Sequence, residues 1–204
     1  MILTALEFLG LIAFAASGAL AAVRSRLDVF GVVVVGLTTA LGGGVIRDVL
    51  LGITPPTTLR TWPYLAVCGG TALIVFVFHP QIAKLRRAVL LADALGLGVF
   101  ATAGTTIALN AGATPYAACL IGMTTGIGGG AVRDLLLREI PLVLRKEIYA
   151  VAALAGAVLV VIGHALRLPP GPVTVVAAAA VVGVRMLALW RRWNAPVAKG
   201  PETG

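Results

Sequence analysis

The chain is poor in charged residues, and above all in acidic ones. Of its 204 residues only 12% are charged, and Asp and Glu together number 8. A typical soluble domain is about 25% charged, whereas 59% of this chain is hydrophobic. The shortage of charge argues against a water-soluble domain and against a disordered chain. It indicates a polytopic helical membrane protein.

The chain also lacks the residue patterns of metal, cofactor and catalytic sites. Its two cysteines, Cys68 and Cys119, lie inside apolar runs, as small packing residues do. His79 and His164 stand at predicted helix ends without a companion at metal-ligand spacing. No Walker lysine follows the glycine runs, and no Ser/His/Asp or Cys/His set can be assembled at one membrane depth. We therefore expect no enzymatic activity, no metal and no cofactor.

Apolar segments long enough to cross a hydrocarbon core of about 30 Å recur along the whole chain. They run approximately over residues 3–23, 29–52, 61–79, 88–109, 115–137, 148–166 and 172–190. The sequence therefore predicts an all-α fold with seven transmembrane helices in one transmembrane domain over residues 1–192. Residues 193–204 are short and polar, and we interpret them as a disordered cytoplasmic tail.

Basic residues gather on one side of the predicted membrane. The other side receives only Arg60 and Arg167, while the richer side receives Arg24, Arg26, Lys84, Arg86, Arg87, Arg138, Arg145, Lys146, Arg191, Arg192 and Lys199. The positive-inside rule then predicts an external N-terminus and a cytoplasmic C-terminus. Membrane topology thus explains the net charge of +8, and we expect no nucleic-acid partner.

An internal repeat appears when the chain is shifted against itself by 86 residues. LGGGVIRDVLL, from Leu41 to Leu51, then aligns without a gap with IGGGAVRDLLL, from Ile127 to Leu137. Each repeat, at about residues 3–80 and 88–166, holds three predicted helices. Because three is odd, the second copy must enter the membrane from the opposite side. Such inverted repeats are common in proteins that move solutes between two aqueous sides, and the helix at 172–190 lies outside them.

A glycine triplet interrupts the second and the fifth predicted helix. Each glycine lowers helix propensity by about 1 kcal/mol relative to alanine, which predicts a break or kink that faces the bundle interior or an aqueous cavity. The alternative is close helix packing, which small residues also permit. The triplets are Gly42, Gly43, Gly44 and Gly128, Gly129, Gly130.

An Arg-Asp pair follows each triplet inside the predicted span. A charge at the bilayer centre costs about 3 kcal/mol on insertion scales, so these side chains need partners. Adjacent helical residues point about 100° apart, so we do not expect each arginine to neutralise the aspartate beside it. We predict ion pairs of Glu7 with Arg47 and of Asp93 with Arg133, which leaves Asp48 and Asp134 nearer a permeation route. The alternative is that all six only hold the bundle together.

Two threonines precede each glycine triplet, Thr38 and Thr39 in the first repeat and Thr124 and Thr125 in the second. A threonine hydroxyl commonly bonds a carbonyl of its own helix. Together with carbonyls freed at a helix break, hydroxyls could also replace part of an ion's hydration shell. We therefore group the threonines with the glycines and with Asp48 and Asp134 as candidate pore-lining residues.

These features together resemble the trimeric intracellular cation (TRIC) channel family in its short prokaryotic form, over about residues 4–190. The resemblance implies a homotrimer in a prokaryotic plasma membrane, with one potassium-permeable pore in each protomer. The pore would be lined by the kinked second and fifth helices, with kinks at residues 42–44 and 128–130. Animal members carry a Lys-Glu-Val element at such a kink and bind phosphoinositide there, whereas this chain has glycines.

Three hypotheses for the function follow. The first is a passive channel for monovalent cations, whose partners are potassium and the lipid bilayer. The second is a secondary transporter of a small zwitterion such as glycine, because related prokaryotic sequences carry a glycine-transporter label. The third is a membrane scaffold whose glycines and alanines serve only helix packing.

Overall fold

The computed structural model of the protein describes residues 2–79, 85–145 and 147–191. Throughout these ranges the regular secondary structure is helical, which confirms the predicted all-α fold. The helices are α1 (Ile2–Arg24), α2 (Val29–Leu50), α3 (Thr57–Arg60), α4 (Trp62–Phe78), α5 (Leu85–Asn110), α6 (Pro115–Leu136), α7 (Leu142–Arg145), α8 (Glu147–Ala165) and α9 (Pro170–Arg191). Lys84, Lys146, Arg192, Lys199 and the predicted tail lie outside the described residues.

The seven longer helices correspond to the seven predicted spans. Five of them, α1, α2, α5, α8 and α9, are long and apolar enough to cross a membrane. Helix α4 has 17 residues, and α6 is not among the five. The count of seven spans therefore stays a prediction, although α4 and α6 stand where the sequence predicts them.

Helix boundaries repeat with the offset seen in the sequence. Helix α2 covers Val29–Leu50 and α6 covers Pro115–Leu136, which is the same range moved by 86 residues. Residues with left-handed backbone recur with the same offset. Arg26 and Gly112 follow the ends of α1 and α5, and Gly52 and Arg138 follow the ends of α2 and α6. At each of these ends an amide beyond the turn bonds back into the last helical turn, for example from Ile53 to Asp48. This arrangement is the Schellman motif, which satisfies carbonyls that the helix end would otherwise leave unpaired.

The two repeats meet along α1 and α5 in the centre of the bundle. The rings of Phe14 and Phe100, which are equivalent in the two repeats, stack with centroids 5.3 Å apart and planes 10° apart. A Cβ at Gly10 would lie 3.0 Å from the Phe100 ring, and a Cβ at Gly96 would overlap the Phe14 ring. Glycine at both positions therefore lets α1 and α5 approach closely. Helix α9 packs on α5 and α8, outside the pair of repeats.

Candidate functional site

Both glycine triplets lie within continuous helices. The helical backbone runs without interruption from Val29 to Leu50 and from Pro115 to Leu136. The predicted helix break at Gly42–Gly44 and Gly128–Gly130 is therefore wrong for this structure, whereas the predicted kink stays a prediction. The glycines serve the alternative purpose, because they allow α2 and α6 to cross at close range.

The crossing of α2 and α6 is tightest at the central glycine of each triplet. A Cβ on Gly43 would overlap the carbonyl oxygen of Thr125, and a Cβ on Gly129 would overlap the carbonyl oxygen of Thr39. Only glycine fits at either position without separating the helices. A Cβ on Gly42, by contrast, would make ordinary contacts of 3.7 Å with Val132 and 3.9 Å with the Gly129 Cα.

The four predicted threonines bond to their own helices. The hydroxyl of Thr39 donates to the Val35 carbonyl at 2.6 Å, and that of Thr125 donates to the Ile121 carbonyl at 2.5 Å. Thr38 and Thr124 donate in the same way to Val34 and Leu120. Thr39 and Thr125 are fully buried, whereas Thr38 and Thr124 are partly exposed. In this conformation their hydroxyl protons are thus engaged, and only their lone pairs are free to accept or coordinate.

The second repeat holds a buried charge cluster around Arg133. The arginine donates through Nη1 to Asp93 Oδ1 and to the Ser17 hydroxyl, both at 2.6 Å. Its Nε and Nη2 each lie 2.8 Å from Asp134 Oδ1. The side chains of Arg133 and Asp93 are 2% and 0% exposed, so the pair that the sequence predicts is present and shielded from solvent.

The first repeat holds the equivalent cluster around Arg47 in a looser form. Arg47 Nη1 lies 3.8 Å from Glu7 Oε1, and the Glu7 side chain is 22% exposed. The Tyr64 hydroxyl donates to the other oxygen of Glu7 at 3.0 Å. Arg47 also binds Asp48 Oδ1 through Nε and Nη2, each at 2.8 Å. The Glu7–Arg47 pair that the sequence predicts therefore exists at the edge of ion-pair range.

The expected pairing of Asp48 and Asp134 needs correction, while their place near a permeation route stays a prediction. Each aspartate is bound by the arginine that precedes it, contrary to the expectation from helical geometry, because the long arginine side chain folds back along the helix. The second oxygen of Asp48 accepts the Thr57 amide at 2.7 Å, and that of Asp134 accepts the Leu142 amide at 2.9 Å. Both residues are buried. They anchor the loops after α2 and α6 and do not project as free carboxylates.

Three polar side chains near these clusters were missed by the sequence analysis. Tyr64 faces the first cluster from α4, and Tyr149 faces the second cluster from α8. Because their numbers differ by 85 and not by 86, the alignment of the repeats does not pair them. Arg185, from α9, places its guanidinium carbon 4.8 Å from the centre of the Tyr149 ring. Its location inside the last apolar span was the available signal, since an arginine there needs a partner.

A cavity of about 750 Å³ opens beside the second cluster. Arg133 and Asp134 form part of its wall, and the other lining residues are Ala21, Arg24, Arg86, Val89, Leu90, Arg138, Glu139, Ile140 and Leu142. An ion pair of 2.7 Å joins Arg24 at the end of α1 to Glu139 after α6. The buried Arg133 cluster is thus connected to an open and strongly charged vestibule.

Comparison with known proteins places this geometry in a family. The sequence model of a family described as "Glycine transporter" matches residues 4–80 and 90–165, two segments that begin 86 residues apart. A UPF0126 membrane protein of Deinococcus radiodurans is 47% identical over 154 residues, which are 74% of this chain and 72% of that protein. The UPF0126 inner membrane protein YadS of Escherichia coli is 43% identical, over 75% of this chain and 74% of its own length.

Solved structures decide the family. The TRIC channel orthologue of Rhodobacter sphaeroides is 38% identical, with a TM-score of 0.91 over 94% of this chain and 99% of its own. The chain belongs to the prokaryotic TRIC channel family. A second solved structure, of a TRIC cation channel, is 36% identical to this chain, with a TM-score of 0.90 over 100% of both chains. A TRIC counter-ion channel that acts in calcium release is 17% identical at a TM-score of 0.62, which shows a shared fold.

Proposed function

We propose that this protein is a potassium-permeable channel for monovalent cations. One observation carries the proposal: the whole chain shares the fold of TRIC cation channels at 36–38% identity. The two charge clusters support it. Each combines one arginine with two carboxylates, so each core cluster has a formal excess of one negative charge, which favours cations.

The proposed pathway runs within one protomer, between the repeats and across the contact of α2 with α6. The close crossing at Gly43 and Gly129 supports a pathway that is closed at this contact, which we call the waist, in the present conformation. Conduction requires α2 and α6 to separate by sliding or rocking of the repeats, as in other inverted-repeat proteins. The carbonyls of Thr39 and Thr125 would then face the opening.

The assembly and the orientation are part of the same proposal. TRIC channels are trimeric, as the name of the Rhodobacter orthologue states, and we propose a homotrimer for this chain with one pore in each protomer. YadS of Escherichia coli is an inner membrane protein. The excess of arginine and lysine at the end that carries Arg24, Arg86 and Arg138 supports a cytoplasmic location for that end and an external N-terminus in the plasma membrane.

The test is the reversal potential of purified protein in planar bilayers with asymmetric potassium chloride. We expect unitary currents that reverse close to the potassium equilibrium potential, because the clusters disfavour chloride. Potassium-loaded liposomes should also lose potassium without valinomycin. Reversal near the chloride potential would refute the proposal.

A second candidate function is uptake of a small zwitterion such as glycine. The observation that favours it is the family description, "Glycine transporter". Proteoliposomes should then show saturable uptake of labelled glycine that unlabelled glycine inhibits, without unitary currents. Uptake that remains linear with glycine concentration would contradict a carrier and favour the channel.

A further inference from the structure

The two ends of the repeat pair have matching cores and different surroundings. The core clusters, Glu7–Arg47–Asp48 and Asp93–Arg133–Asp134, carry the same formal charge. Around the second cluster, the cavity of about 750 Å³ adds Arg24, Arg86, Arg138 and Glu139. These four side chains contribute three positive charges and one negative charge, an excess of two positive charges.

Two of these arginines have no ion-pair partner in the part of the chain that the structure describes. Arg24 pairs with Glu139, so its charge is balanced. Among the described side chains, no carboxylate forms an ion pair with Arg86 or Arg138. Both are exposed at the cavity, and Arg185 adds a further positive charge beside the second cluster. The potential in this vestibule is therefore positive.

The opposite end lacks these charged side chains at the equivalent positions. At the 86-residue offset, Arg24, Arg138 and Glu139 correspond to three uncharged residues, namely Asn110, Gly52 and Ile53. The asymmetry thus lies in the ring of side chains around each mouth, while the cores that the repeats share remain equivalent. Near the first cluster the exposed arginine is Arg60, so a cation meets a more positive potential at the second cluster than at the opposite end.

We propose that Arg86 and Arg138 make the pathway rectify, so that cations enter more slowly from their end than from the opposite end. This inference rests on the proposed cation channel. A positive vestibule lowers the local concentration of cations and their rate of entry, and the potential reaches about 10 Å at an ionic strength of about 0.1 M. With the orientation proposed above, potassium influx exceeds efflux at equal and opposite voltages.

Single-channel current–voltage curves in symmetric potassium chloride test this inference. In about 0.1 M salt we expect the currents at equal and opposite voltages to differ by about twofold or more. In about 1 M salt, where the Debye length is about 3 Å, the ratio should approach one. The double variant Arg86→Gln/Arg138→Gln should show a ratio near one even in the dilute salt.

Arg167→Gln is the matched control. Arg167 and Arg138 both have a φ of 56° after a helix end, but Arg167 does not line the cavity. Its replacement should leave the ratio unchanged. Cation-selective currents that are linear in dilute salt, or rectification that persists in the double variant, would overturn the inference and leave the channel standing. Anion-selective currents, or none from folded protein, would overturn both.

Discussion

Alanine at Gly43 or Gly129 is expected to destabilise the protein and to hold the waist open. Each new methyl group would overlap a backbone carbonyl of the facing helix, which cannot rotate away as a side chain would. Overpacking of this kind costs about 1–3 kcal/mol. Since 1 kcal/mol shifts the melting temperature of a chain of this size by about 2–4 °C, a fall of roughly 5 °C is expected. Thermal unfolding in detergent measures it, and bilayer recordings should show longer openings.

Gly42→Ala is the control for this prediction because it changes the adjacent residue of the same triplet. Its methyl group would make only ordinary contacts, and alanine gains about 1 kcal/mol of helix propensity over glycine. Gly42→Ala should therefore keep or raise the melting temperature. A membrane scaffold without a pathway predicts neither currents nor uptake, together with tolerance of Gly43→Ala and Gly129→Ala in function. Equal melting temperatures for Gly42→Ala and Gly43→Ala would contradict the close crossing of α2 and α6.

The sequence predicted the features that depend on periodicity and on charge pairing. Spans followed from apolar length, and the internal repeat followed from an offset that includes Arg47 and Arg133. One carboxylate partner of each arginine, Glu7 or Asp93, followed from topology, because it had to lie at the same membrane depth as the arginine. These inferences use patterns along the chain, such as apolar length and the spacing of charges, which can be read without knowledge of the tertiary packing.

The glycine triplets show where such patterns are insufficient. Intrinsic propensity disfavours three consecutive glycines in a helix, yet tertiary packing of α2 against α6 outweighs that preference. Only the facing helix reveals that Gly43 is constrained while Gly42 is not. The loop amides that bind Asp48 and Asp134 are likewise invisible to a periodicity argument, because they come from residues 9 and 8 positions along the chain.

Neutralisation of Asp93 is expected to be much more harmful than neutralisation of its repeat equivalent, Glu7. Asp93 is fully buried and accepts from Arg133 at 2.6 Å, so Asp93→Asn leaves the buried Arg133 with a single carboxylate partner. Breaking a buried ion pair costs about 3–5 kcal/mol. Glu7 is 22% exposed and lies 3.8 Å from Arg47, so Glu7→Gln should cost no more than about 1 kcal/mol. Melting temperatures of the two variants in detergent provide the comparison.

A second substitution distinguishes charge imbalance from simple loss of contacts. Arg133→Gln alone strands both Asp93 and Asp134, and it should be at least as harmful as Asp93→Asn. The double variant Asp93→Asn/Arg133→Gln removes one charge of each sign, so it should be more stable than the sum of the single effects predicts, with a coupling energy of about 1–3 kcal/mol. Additive effects, or similar losses for Asp93→Asn and Glu7→Gln, would mean that burial does not distinguish the two clusters. The difference in burial and in ion-pair distance between the two clusters would then have no energetic consequence.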